Sequence, residues 1–157
     1  MTHEEKAKKL FKEGYNCAQS VFVAFCEDMN LDQEIALKLS SSFGGGMGRL
    51  REVCGAVSGM FMVAGVLYGY NDPKDHNTKS EHYARIQNLA LEFSKCNHSI
   101  ICRELLGIQG INDNPVPEKR TEKYYKKRPC MELVGDAARI IENYMMEVKS
   151  NENCSNL

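Results

Sequence analysis

Between Arg51 and Gly69 the chain reads REVCGAVSGMFMVAGVLYG, with no charge after Glu52 and glycines recurring through it. The uncharged part, Val53 to Tyr70, is 18 residues, which as a helix would extend about 27 Å, just enough to cross a bilayer core. A chain carrying such a segment must either place it in lipid or wrap its other elements around it. The rest of the sequence favours the second course. Charged residues make up 26%, the formal net charge is −1 and the mean hydropathy is −0.43, a composition suited to a protein folded in water. No membrane span is expected. The N-terminus, MTHEEKAKKLFKEG, lacks the basic region and apolar block of a secretory signal, which points to a cytoplasmic protein.

The 157 residues suit one domain, which at that length buries about 68–70% of its unfolded surface. Residues 1–150 are expected to form it, with 151–157 a disordered tail. Thr2 and Glu5 make a capping box ahead of Ala7, Leu10 and Phe11, whose spacing predicts a helix. Asn16 either caps a second segment after Gly14 or lies within one long helix. Asp32 caps a helix over 33–42. FGGGMGR, Phe43 to Arg49, holds too many glycines for a helix or central strand and is expected to be a tight loop. The uncharged helix follows, over about 52–69, and its interior glycines Gly55, Gly59 and Gly65 cost it roughly 2.5–3 kcal/mol of propensity. Close approach by neighbouring helices would compensate. Thr78 caps a helix to about Lys95, Ser99 to Leu106 is a short helix ended by Gly107, and a long connection with a helical turn near 122–126 leads to Pro129. Pro129 opens the last helix, Cys130 to about Lys149. With no alternating strand pattern, the fold class is all-α, a compact single-domain bundle of five to six helices around a buried central one.

Seven cysteines (17, 26, 54, 96, 102, 130 and 154) are too many for a cytosolic chain to carry without reason, and being odd they cannot all pair. Cys54 falls in the first turn of the uncharged helix, where free amides and the helix dipole favour a thiolate. Cys17 and Cys130 fall at helix starts if Asn16 and Pro129 act as expected. NCAQSV at Cys17, FGGGMG followed by CGAVSG at Cys54, CRELLG at Cys102 and the C-terminal Cys130 together resemble the family of small redox-active proteins named for four cysteines and a CGAxxG motif, the C_GCAxxG_C_C family. The resemblance runs from about Phe11 to Ala138. It implies redox activity through Cys17, Cys54, Cys102 and Cys130. It also implies a likeness to part of certain multi-haem cytochromes in which an iron-sulfur site fits. No Cys-x-x-Cys-His is present, so covalent haem is not expected.

The residues leave several chemistries open. Successive members of the four are 37, 48 and 28 positions apart, without the short-range pairs of a zinc knuckle or ferredoxin run, so any site must be assembled from separate helices. An iron-sulfur cluster would use all four thiolates, with Gly44 to Gly46 and Gly55 permitting close backbone approach. A dithiol couple needs two thiols within about 7 Å between Cα atoms, with Cys54 the attacking group. Zinc would take four thiolates. Plain burial as small apolar residues is the remaining reading. Electron transfer through an iron-sulfur cluster is the expected function, with a redox partner protein. A thiol-disulfide enzyme, or a structural domain with a zinc-bound or empty cluster, is the alternative.

Other signals are weaker. FGGGMGR with Arg49 and Arg51 could cradle a phosphate or carboxylate, but it lacks the lysine and hydroxyl of a nucleotide-binding loop, so no nucleotide is expected. EKRTEKYYKKRP, Glu118 to Pro129, is basic and tyrosine-bearing, yet in a near-neutral chain it reads as a solvated connection, and no nucleic acid is expected. Cys96-x-His98 reads as a solvated turn. A homodimer through exposed apolar residues is a further expectation.

Overall fold

The chain begins, in a computed structural model that describes residues 1–109 and 114–155, with the expected capping box. The Glu5 amide donates to Thr2 Oγ1 at 3.2 Å and the Thr2 amide to Glu5 Oε2 at 2.9 Å, starting α1 (His3–Lys12). Gly14, at φ +104°, ends any continuation. Asn16 then caps α2 (Cys17–Ala24) in a second box with Gln19, so the first helix is broken rather than continuous. A short α3 (Cys26–Met29) stops at left-handed Asn30. Asp32 caps α4 (Gln33–Ser40). This helix ends before residue 42 because the chain tightens into a 3-10 turn, Ser41–Phe43. Its inward residues are Ala36 and Ser40, whereas Ile35 and Leu39 are exposed.

The expected glycine loop is a single turn, α5 (Gly44–Met47), in which Gly45 and Gly46 are left-handed. The uncharged helix, α6 (Gly55–Tyr68), starts three residues later than expected, because Arg51 at φ +60° and an antiparallel bridge between Val53 and Ile101 hold the backbone extended up to Cys54. The next helix, α7 (His76–Asn97), is capped by Asp75 rather than Thr78. The Asp75 carboxylate accepts from both the amide and the hydroxyl of Thr78. Its successor, α8 (Cys102–Leu106), ends at left-handed Gly107 as expected, but starts after Ser99, whose hydroxyl is occupied by the Ile101 amide. Thr121 caps α9 (Glu122–Lys127). The last helix, α10 (Cys130–Ser155), runs past Lys149 and through most of the expected disordered tail, since no glycine or proline follows Gly135 to stop it. Residues 156–157 of that tail, and 110–113 of the long connection, lie outside the described residues.

Among the described residues the architecture is all-α. Helices α1, α2, α6 and α10 pack on one another, and α7 lies against α6 and α10. Phe11, Phe22, Phe25, Phe93, Met60 and Ile141 are fully enclosed. In α6 only the first part is central: Ala56, Val57, Met60, Val63 and Ala64 are fully buried, but Gly65 and Val66 surface. Among the described residues no helix is long and apolar enough to cross a membrane.

One buried histidine gives the fold a pH signature. His82, 8% exposed, lies with its Nδ1 2.9 Å from Arg85 Nη1. A guanidinium can only donate, so Nδ1 accepts and the ring is neutral. Burial, and then Arg85, lower its pKa below the ordinary 6.5. The unfolded chain therefore takes up this proton first on acidification. The stabilisation is complete above about pH 6.5 and is lost as pH falls towards the folded-state pKa. Urea unfolding of His82→Gln, which keeps an acceptor for Arg85, should show a shallower decline in stability between about pH 6.5 and 5 than the parent. Equal slopes would remove His82 from the account.

Candidate functional site

The site is built where the glycine turn meets the start of α8. With Gly45 and Gly46 left-handed, their carbonyls accept from the Arg51 and Glu52 amides at 3.3 and 3.0 Å. The extended backbone that follows pairs with the residues before α8. Cys54 N donates to Ile100 O at 2.8 Å, Cys102 N to Glu52 O at 2.6 Å and Arg103 N to Arg51 O at 3.2 Å. These bonds bring Cys54 and Cys102 to one place although 48 positions separate them. Cys17 opens α2 and Cys130 opens α10, and both helices present that end to the same place.

All four sequence-identified cysteines, Cys17, Cys54, Cys102 and Cys130, line one cavity of about 60 Å³. All are unpaired thiols; the last three are buried and Cys17 is half-buried. The expectation that three of them stand at helix starts extends to the fourth. Cys17, Cys102 and Cys130 are the first residues of α2, α8 and α10, and Cys54 is the N-cap of α6. Cys26 is half-buried at the start of α3, Cys96 and Cys154 are exposed, and none of these lines the cavity. His98 is the exposed left-handed residue ending α7.

The thiols are not electrostatically equal. At Cys54 burial dominates, pushing the thiol up to about 12 although the Ala56 and Val57 amides donate to its sulfur. The helix start does lower the thiol, as expected, but desolvation outweighs it. Cys130 is the thiol held below its ordinary range, by a hydrogen bond from Cys17 and by Arg128 and Arg120. Cys17, the other half of that pair, is pushed well up, first by its hydrogen bond with Cys130 and then by burial. Burial also raises Cys102, against a hydrogen bond from Arg51 Nη1 to its sulfur at 3.8 Å.

Three arginines complete the cavity wall: Arg51, Arg120 and Arg128. Arg51 is only 6% exposed. The Arg120 guanidinium lies between Phe11 and Tyr124, 4.3 and 4.8 Å from the ring centres, and donates to the Phe11 and Tyr15 carbonyls. Arg128 pairs with Glu118. The basic segment is thus partly folded over the thiols rather than being only a solvated connection. The sequence carried no clear signal for this, since only Tyr124 lies within α9, while Arg120 precedes its Thr121 cap and Arg128 follows it in extended conformation. Burial drives the Tyr124 hydroxyl up to about 12.

Among the described residues no three His, Cys, Asp or Glu side chains are grouped to hold a single metal ion. Four thiolates about 2.3 Å from one zinc would lie roughly 3.8 Å from one another. The four sulfurs line one cavity without being grouped in that way.

Residues 15–144 match the family model described as "Putative redox-active protein (C_GCAxxG_C_C)". A protein of Archaeoglobus fulgidus described only as "Uncharacterized protein" is 27% identical, over 96% of this chain and 100% of its own length. No solved structure matches.

Proposed function

This chain belongs to the C_GCAxxG_C_C family, and from that premise we propose that it is an electron-transfer protein whose four thiols bind an iron-sulfur cluster. The convergence of Cys17, Cys54, Cys102 and Cys130 on one arginine-walled cavity carries this reading. When bound, such a cluster supplies one-electron transfer at a potential set by its charge, hydrogen bonding and exposure. The residues present fit it. Four thiolates would carry four negative charges into a largely enclosed space, and Arg51, Arg120 and Arg128 stand at the wall to offset them. The starts of α2, α6 and α10 add the positive ends of three helix dipoles. Leu105, Leu106 and Leu133 line the remaining wall and limit water.

Protein purified without oxygen should absorb in the visible range and contain iron and acid-labile sulfide. Cys54→Ala should lose most of both while keeping its helical circular dichroism. A colourless parent without iron or sulfide, with its thiols intact after anaerobic handling, rejects the cluster.

The hydrogen-bonded Cys17 and Cys130 favour a second reading, thiol-disulfide exchange. Cys130 would attack one sulfur of a partner disulfide and expel the other as a thiolate. Cys17, giving its proton to solvent, would then attack the mixed disulfide and release the partner reduced. This assigns the attack to Cys130, since Cys54 is held as a buried thiol. Peptide mapping of metal-free protein incubated with oxidised glutathione should find a Cys17–Cys130 disulfide. A glutathione adduct that never resolves to it defeats this reading.

A further inference from the structure

Arg51, Arg120 and Arg128 line not only the thiol cavity but also a second, more open chamber of about 230 Å³ beside it. Arg49 lines this chamber alone. Among the described residues four arginines therefore line it against one carboxylate, Glu118, which is already engaged by Arg128. Asn16, on the boundary with the thiol cavity, spends its amide on the Ser41 carbonyl. Arg120 is occupied by the Phe11 and Tyr15 carbonyls.

The other two arginines are not satisfied. Arg49 Nε and Nη1 and Arg51 Nε are buried without an acceptor among the described residues, and Arg51 as a whole is 6% exposed. Buried cationic donors left without acceptors are costly, and folded chains seldom tolerate them. The backbone adds to that cost, with Arg49 at φ +70° and Arg51 at φ +60°, a region that non-glycine residues avoid. Strain of this kind persists where the surroundings impose it, commonly at ligand clamps.

We propose that this chamber binds a small anion through carboxylate, phosphoryl or sulfuryl oxygens, held by Arg49 and Arg51 next to the cysteine centre. The guanidinium fork matches two oxygens of such groups at once. The chamber, at about 230 Å³, is below the roughly 300–1,000 Å³ of pockets for drug-sized ligands, which selects a compact anion over a nucleotide. The site needs no thiol and no metal, so it stands apart from the redox reading. Its position gives an anion direct proximity to Arg51, which also donates to Cys102.

The test is calorimetric titration of reduced, metal-free protein with inorganic phosphate, sulfate and malonate separately, ionic strength being held constant with chloride. At least one probe should saturate a single site, and the preferred probe identifies the oxygen geometry. Arg49→Gly removes the guanidinium and is compatible with φ +70°. It should retain the parent's melting temperature within a few degrees while weakening the anion about tenfold or more. Arg49→Lys should recover part of the loss. No saturable binding above chloride, or binding by Arg49→Gly at the parent's affinity, overturns the proposal. Iron and sulfide in anaerobically purified Arg49→Gly should equal the parent's, so the anion site and the cluster fail or survive separately.

Discussion

Gly46→Ala should destabilise the protein by about 2–5 kcal/mol and dismantle the thiol cavity. Two costs add. The residue sits at φ +68°, where a side chain costs about 1–2 kcal/mol. A Cβ built there would lie 2.6 Å from Cys102 Cβ and 2.9 Å from both Arg51 Cα and Glu52 N. Two of these neighbours are backbone, so no rotamer change relieves them, and overpacking of this kind costs about 1–3 kcal/mol. Relief requires moving the 51–54 backbone away from α8, which parts Cys54 from Cys102. Gly48→Ala is the control. Its φ is +62°, but its nearest neighbour would be Ser42 O at 3.8 Å, so it bears the conformational cost alone. The comparison is made by urea unfolding with thiol accessibility measured alongside. If the two variants fall within about 1 kcal/mol of each other with similar thiol exposure, the glycine turn does not position the cysteines by close packing.

The glycines of α6 should respond in opposite directions. A Cβ on Gly65 meets nothing within 4 Å, so Gly65→Ala should gain up to about 1 kcal/mol of helix propensity. A Cβ on Gly59 would stand 2.8 Å from the Ala18 carbonyl oxygen and 2.9 Å from Val21 Cβ. There the same propensity gain is outweighed, because α2 must move off α6, and a net loss of about 2 kcal/mol is expected. The spread between two identical substitutions on one helix, about 3 kcal/mol, is the measurable quantity. Since α2 carries Cys17, Gly59→Ala should also lower iron retention, whereas Gly65→Ala should leave it unchanged. A stabilised Gly59→Ala would mean that α2 does not depend on this contact.

Only part of the compensation expected for those glycines therefore exists. Gly55 and Gly59 face α2 and the 3-10 turn at contact distance, while Gly65 faces open space. The sequence could not distinguish them, since all three stand in the same apolar run. Element starts were legible where a side chain caps its own backbone, as at Thr2 and Asp32, whereas at Asn16 only the structure chose between a cap and a continuous helix. They were misread where a distant segment intervened. Val53 reads as helix from its neighbours, but it pairs with Ile101, 48 positions away. The Arg120 and Arg128 part of the arginine wall was read as solvated connection, because both residues flank α9 and reach the cavity only through tertiary contacts. Arg49 and Arg51 stood out beside the glycine turn, but their left-handed backbone carries no sequence mark, because non-glycine residues enter that conformation only under tertiary constraint.

Local chemistry, read from the sequence, determined the all-α class, the cysteine motif and the glycine turn, because capping, helical periodicity and backbone freedom act within a few residues. Tertiary structure alone decided which thiol is acidified. A helix start lowers a thiol by a short-range dipole effect, but the desolvation of Cys54 and the pairing of Cys130 with Cys17 depend on what the remote helices bring around them.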